Sequence, residues 1–211
     1  MDKLIELIKS KSFSAAEKLL RKELALSPNN CYLLTQLANV LWNRCKDEEA
    51  LSYADKAKEV CPVMLLLNYT RGRILWSLEK YEQSIEEWDV VLNMTIEEVA
   101  ENGYGVRWAK SVINDSRYYK ADCLYHLFKD KEALSYADKA KEVCPVMPLL
   151  NYTRGRILWS LEKYEQSIEE WDIVLNMTIE EVAENGYGVR WAKKLLRNTQ
   201  KQIDQIQANL Q

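Results

Sequence analysis

The stretch CYLLTQLANVLWNRCKDEEALSYADKAKEVCP, residues 31–62, decides the fold. Leu34, Leu37, Ala38 and Leu41 fall on one face of a helix, and Ala50, Ala54 and Ala57 do the same on a second. Lys46-Asp47 between them reads as a short polar turn. Pro62 stops the second helix, because proline lacks the N–H and its ring clashes with the preceding turn. The product is a helix hairpin in which the small Ala38, Ala50 and Ala57 let the helices approach closely. Thirty-four residues on, the pattern recurs: Gly72 replaces Ala38, Leu75 replaces Leu41, and Ser84, Trp88 and Val91 replace the three alanines.

A larger repeat encloses this one. Residues 46–110 and 129–193 are the same text except at Glu48/Lys131, Leu65/Pro148 and Val90/Ile173. Even charged positions expected to be solvated, such as Lys56/Lys139 and Glu86/Glu169, are unchanged. Surface substitutions usually cost little, so keeping the fold does not by itself require this identity. The duplication is either recent or engineered. Self-similarity on this scale marks a stacked repeat protein.

Residues 114–147 read as a further unit, with Ala121, Leu124, Ala133, Ala137, Ala140 and Pro145. Residues 148–181 repeat 65–98 with Gly155, Leu158, Ser167, Trp171 and Val174. The first thirty residues carry Leu4, Leu7, Ala16, Leu20 and Pro28, a unit whose first helix is shortened. In its small-then-large first helix, small residue opening the second helix and closing proline, the chain resembles the tetratricopeptide repeat (TPR) family, whose unit is a helix–turn–helix of 34 residues. The resemblance implies an all-α, right-handed superhelical solenoid forming a single array, with units at about 1–30, 31–64, 65–98, 114–147 and 148–181.

Two departures from the family pattern matter. Ile96 and Ile179 stand where the closing proline is expected, and the 83-residue step exceeds two ordinary units by fifteen residues (83 − 68). The excess places insertions at about 99–113 and 182–193. Thr95 with Glu98 forms a capping-box pattern that predicts a short helix from Ile96 to Glu101. Asn102-Gly103 ends it, and Gly103-Tyr104-Gly105 reads as a bend. A long helix is expected from near Val106 to near Lys129, and a second from Val189. After Lys193 the copies diverge into Leu195, Leu196, Thr199, Ile203, Ile206 and Leu210, one apolar stripe on a polar helix. This fits a capping helix at about 189–211, which a solenoid needs to end its core.

Hydrophobic residues at 47%, four prolines and six glycines suit a folded helical chain. A net charge of −3 gives no broad preference for nucleic acid or an anionic membrane, and neither is expected as a partner. The start Met1-Asp2-Lys3-Leu4-Ile5-Glu6 lacks the apolar core of a signal peptide, and no apolar run approaches a membrane span. Cys31, Cys45, Cys61, Cys123 and Cys144 are therefore expected to be reduced and mostly buried in a cytoplasmic protein, and the glycosylation sequons to be chance. His126 has no nucleophile arranged about it, Cys61 and Cys144 lack C-x-x-C spacing, and Gly103-Tyr104-Gly105 has no third glycine. No catalytic constellation, metal or cofactor follows. Trp88, Trp171, Tyr81 and Tyr164 are read as structural, and Trp108 and Trp191 as packing the insertions.

In the TPR family the first helix of each unit lines a concave groove. Carried onto this chain, the groove-facing rows are Tyr32, Thr35, Asn39 and Trp42; Leu66, Tyr69, Arg73 and Trp76; Asp115, Tyr118, Asp122 and Tyr125; and Leu149, Tyr152, Arg156 and Trp159. Each mixes aromatic area with a polar or charged group, the composition of a binding surface. The resemblance thus implies a non-catalytic scaffold for a peptide or extended protein segment. A carboxylate clamp of the kind that binds chaperone C-termini is not expected. Asn39 occupies one of its places, but Thr35 and Thr70 replace the wanted Lys and Asn, and Arg73 and Arg156 are displaced. The alternative is a duplicated or engineered structural array without a ligand. Self-association is a third interaction to weigh, through core left uncovered at Leu4 or Ile5.

Overall fold

The computed structural model describes residues 2–101, 105–184 and 188–209. Among them the chain is all α-helix: α1 (Asp2–Lys9), α2 (Phe13–Leu26), α3 (Cys31–Trp42), α4 (Asp47–Val60), α5 (Leu65–Ser77), α6 (Tyr81–Leu92), α7 (Ile96–Glu101), α8 (Gly105–His126), α9 (Asp130–Val143), α10 (Pro148–Ser160), α11 (Tyr164–Leu175), α12 (Ile179–Glu184) and α13 (Gly188–Asn209). The chain forms two compact units, residues 1–119 and 120–211. The Gly103-Tyr104 bend, Tyr187 and Leu210 lie outside the described residues, and so do the side chains of Trp191 and Ile206.

Helices α3 and α4, α5 and α6, and α10 and α11 pair as hairpins. Their turns share one design. Lys46 N–H donates to Leu41 O at 3.1 Å, Lys80 to Leu75 at 2.9 Å, and Lys163 to Leu158 at 2.9 Å, each capping the last turn of the first helix. The residue before each lysine is left-handed without being glycine: Cys45, Glu79 and Glu162 have φ of 57°, 58° and 59°. Phe128, after α8, repeats this at 58°. Elsewhere Asn30 caps α3 by accepting from Leu33 N–H at 3.1 Å.

Close approach is achieved in two ways. In α3/α4 the facing Ala38, Ala50, Ala54 and Ala57 are all fully buried. In α5/α6 a tryptophan replaces the middle alanine, and a glycine faces it. A Cβ on Gly72 would lie 2.7 Å from Trp88 Cη2, and one on Gly155 would fall nearer still, on Trp171 Nε1. Both rings are fully buried. The opening serine of the second helix secures the contact: Ser84 Oγ donates to Gly72 O at 2.9 Å, and Ser167 Oγ to Gly155 O at 2.7 Å.

The insertions are helical and packed. Thr95 and Glu98 form both arms of a capping box, at 2.7 and 3.1 Å, and Thr178 and Glu181 repeat it at 2.7 and 3.2 Å. Val99 of α7 joins Val91, Ala109 and Val112 in one core, with Trp108 against it. In the second unit Val182 joins Val174, Ala192 and Leu195. The terminal helix α13 buries Leu195, Thr199 and Ile203 along one stripe.

Ion pairs stitch neighbouring hairpins. The buried Glu87 carboxylate takes Lys58 at 2.9 Å and Arg71 at 2.5 Å, while Arg71 also holds Asp55 at 2.8 Å. Glu170 likewise pairs with Lys141 and, at 2.6 Å, with Arg154, which holds Asp138 at 2.8 Å. Near the N-terminus Glu17 gathers Arg21, Arg44 and Lys46. Burial raises its pKa, but these hydrogen bonds outweigh that and leave it lowered.

The cysteines depart from expectation. Only Cys123 is buried; Cys45 is exposed because it occupies the left-handed turn position, and the other three are half-buried. Cys31 lies beside the end of α4, and its thiol is pushed up to about 11 by burial and by a hydrogen bond with Cys61. Tyr81 and Tyr164 are half-buried.

Candidate functional site

The candidate groove residues assemble into one recurring motif, an arginine laid on aromatic rings. In the first unit, Arg73 of α5 places its guanidinium 3.8 Å from the ring centre of Trp42 on α3. It also lies 5.4 Å from the ring of Tyr69, one turn earlier on its own helix. In the second unit, Arg156 lies 4.4 Å from Tyr125 and 5.8 Å from Tyr152. Each arginine follows its principal ring by 31 residues, one helical turn short of the repeat step. That spacing is the signal the sequence carries for this contact.

The surroundings of the two motifs differ. Tyr69 donates its hydroxyl to Asp115 Oδ2 at 3.0 Å. Burial, then the Asp115 charge, pushes the Tyr69 phenol well above its ordinary value. Burial also raises Asp115, against the pull of the Tyr69 hydrogen bond and the Arg73 charge. In the second unit burial raises Tyr152, while Arg156 pulls it back. Asp122 accepts from Thr153 Oγ1 at 3.0 Å, and His126 Nε2 lies 3.7 Å from its other oxygen.

The remaining candidates divide by accessibility. Trp42, Tyr69, Arg73, Trp76, Tyr125, Tyr152, Arg156 and Trp159 are all half-buried. Trp76 meets Tyr119 edge-on at 5.2 Å, and Trp159 leans on Tyr164 at 4.8 Å. Asn39 is half-buried and accepts from Asn43 Nδ2 at 3.3 Å. Tyr32 lines a separate cavity of about 440 Å³ with Leu4, Leu20 and Leu33. Tyr118 and Asp122, also expected in the groove, are buried, only 1% and 4% exposed. Thr35, in the same predicted face, is also buried and bonds Cys31 O at 2.8 Å. Tyr119 was missed: its ring stacks on Trp88 at 5.2 Å and 11°.

No group of three or more His, Cys, Asp or Glu side chains among the described residues is arranged to hold a metal ion, and no described helix is long and apolar enough to cross a membrane.

No protein-family model matches the chain, and no curated protein matches it in sequence. Solved structures do. The chain is similar to the structure titled MamA 41-end from Desulfovibrio magneticus RS-1, with a TM-score of 0.65 and 13% identity over 89% of this chain and 94% of that one. A MamA RS-1 double mutant gives 0.64 at 14% identity, over 82% and 88%. A crystal structure of MamA gives 0.62 at 13%, over 82% and 92%. At these identities the likeness concerns the fold: an all-α, TPR-like helical-repeat fold with short inserted helices and a closing helix.

Proposed function

We propose that this chain is a non-catalytic TPR scaffold of the cytoplasm that holds an extended protein segment against the first helices of its units. The units are those at about 1–30, 31–64, 65–98, 114–147 and 148–181. The observation that carries the reading is the arginine-on-aromatic motif, Trp42/Arg73/Tyr69 in one unit and Tyr125/Arg156/Tyr152 in the other. Rings braced from one side offer large contact area at little entropic cost, and aromatic and arginine side chains dominate binding hot spots. The TPR-like fold adds support, since it repeats such first-helix faces from hairpin to hairpin.

The test is selection of phage-displayed random dodecapeptides on the intact chain, counter-screened with a folded Tyr69/Trp76/Tyr152/Trp159 alanine variant. Peptides that enrich on the intact chain and vanish on the variant support the groove. A second reading, a lengthened structural array with no ligand, draws on the identity of the repeated segments at exposed positions such as Lys56/Lys139 and Glu86/Glu169. Absence of any enrichment favours it.

A further inference from the structure

Arg73 and Arg156 stand in the same text, but different helices follow them. In the first unit α8 sets Asp115 beside the motif, where its charge is felt together with that of Arg73. The corresponding position 83 residues on is Asn198 in α13. Among the described residues Arg156 has no ion-pair or hydrogen-bond partner for its guanidinium, which is placed by the Tyr125 and Tyr152 rings alone. Asp122, the nearby carboxylate, already receives Thr153 Oγ1 and faces His126. The Tyr125 and Tyr152 hydroxyls likewise have no hydrogen-bond partner among the described residues.

Stacking occupies the π face of a guanidinium and leaves its in-plane N–H fork free, the edge that matches a carboxylate with two parallel hydrogen bonds. Arginine cannot relieve half-burial by losing its proton, so an anionic acceptor is what the position lacks. Resting on the groove reading above, we propose that Arg156, braced by Tyr125 and Tyr152, receives an aspartate or glutamate side chain of an extended acidic partner segment. Arg73, with Asp115 in its surroundings, does not share that role.

The dodecapeptide selection is run on the intact chain, Arg156→Gln and Arg73→Gln, each checked for helicity and cooperative melting. The expected result is a fixed Asp or Glu among enriched peptides, lost on Arg156→Gln and kept on Arg73→Gln. In titration of an enriched peptide, Glu→Gln in the peptide or Arg156→Gln in the protein weakens binding about tenfold to a hundredfold, and the two changes together add little more. Arg156→Lys, which keeps the charge and loses the fork, falls between. Peptides that enrich with no acidic position, or with one indifferent to Arg156→Gln, overturn the carboxylate assignment and leave the groove reading standing. No enrichment on the intact chain overturns both. An oligothymidylate that binds with the same dependence on Arg156 reassigns the fork to phosphate and also overturns the proposal.

Discussion

Helices α6 and α11 spell the same twelve residues but one, Val90 against Ile173, yet the tryptophan at the centre of each is held differently. Trp88 stacks flat on Tyr119 and meets Tyr69 edge-on at 5.9 Å, while its indole N–H has no acceptor among the described residues. Trp171 has its N–H bonded to Tyr152 O at 3.0 Å and packs against Ile203. The cause is the helix that comes next. Register puts Tyr119 in α8 where α13 has Gln202, and Lys120 where α13 has Ile203. Identical residues thus define a hairpin, and its neighbour settles how the hairpin's largest side chain is satisfied.

The largest effects come from removing those rings. Trp88→Ala and Trp171→Ala should each cost about 3–5 kcal/mol in urea unfolding, as for other buried aromatics. The phenylalanine variants separate the two sites. Trp171→Phe should cost about 1 kcal/mol more than Trp88→Phe, because only Trp171 gives up a hydrogen bond. Equal costs would mean that the indole N–H is immaterial at both places.

Next come the glycines. Gly155→Ala and Gly72→Ala should lose about 1–3 kcal/mol through overpacking, despite the helix preference for alanine. Gly155→Ala should be the worse, since its Cβ falls nearer the ring and on the bonded nitrogen. Gly72→Ala with Trp88→Ala recreates the Ala38/Ala54 pairing, so the double variant should be more stable than the sum of the single losses predicts. Strict additivity would show that the glycine is not there for the tryptophan.

These contrasts bear on what the sequence could show. Helical periodicity, the alanine faces and the Thr95/Glu98 box were enough to place the hairpins and the short inserted helix, because those depend on near neighbours in the chain. Burial of Tyr118 and Asp122 was not legible, since a 34-residue register assigns a helix face without saying what packs over it. Cys45 was misread for a related reason: a left-handed turn was accepted at a residue that is not glycine, and nothing in the text marked it. The arginine motif had a signal, the 31-residue step from Trp42 to Arg73 and from Tyr125 to Arg156, but its meaning depends on knowing how successive first helices lie.

A smaller contrast lies in the polar seam. Asn151 Nδ2 donates to Glu170 Oε2 at 2.8 Å, and its Oδ1 accepts from Met147 N–H at 2.8 Å. Its counterpart Asn68 accepts from Met64 N–H at 3.3 Å but has no partner for Nδ2 among the described residues. Asn151→Ala should therefore cost about 1–2 kcal/mol more than Asn68→Ala in urea unfolding. A reversed order would place the working amide in the first unit.

The smallest effect at neutral pH is expected from Asp115→Asn, which gives the first unit the residue that α13 already carries at Asn198. Burial raises Asp115 in the folded state, with Tyr69 and Arg73 pulling back only in part. A carboxyl whose folded value lies above its unfolded value, about 3.9, binds its proton more readily when folded. Its contribution is then most favourable below the unfolded value and declines as pH rises through the folded one. The difference in unfolding free energy, wild type minus Asp115→Asn, should accordingly fall as pH rises from about 4 toward neutrality. Taking the difference cancels the other carboxylates, including Glu17, whose lowered value acts in the opposite sense on the acid side. Parallel curves would mean that Asp115 titrates alike folded and unfolded, and that its hydrogen bond from Tyr69 balances its burial.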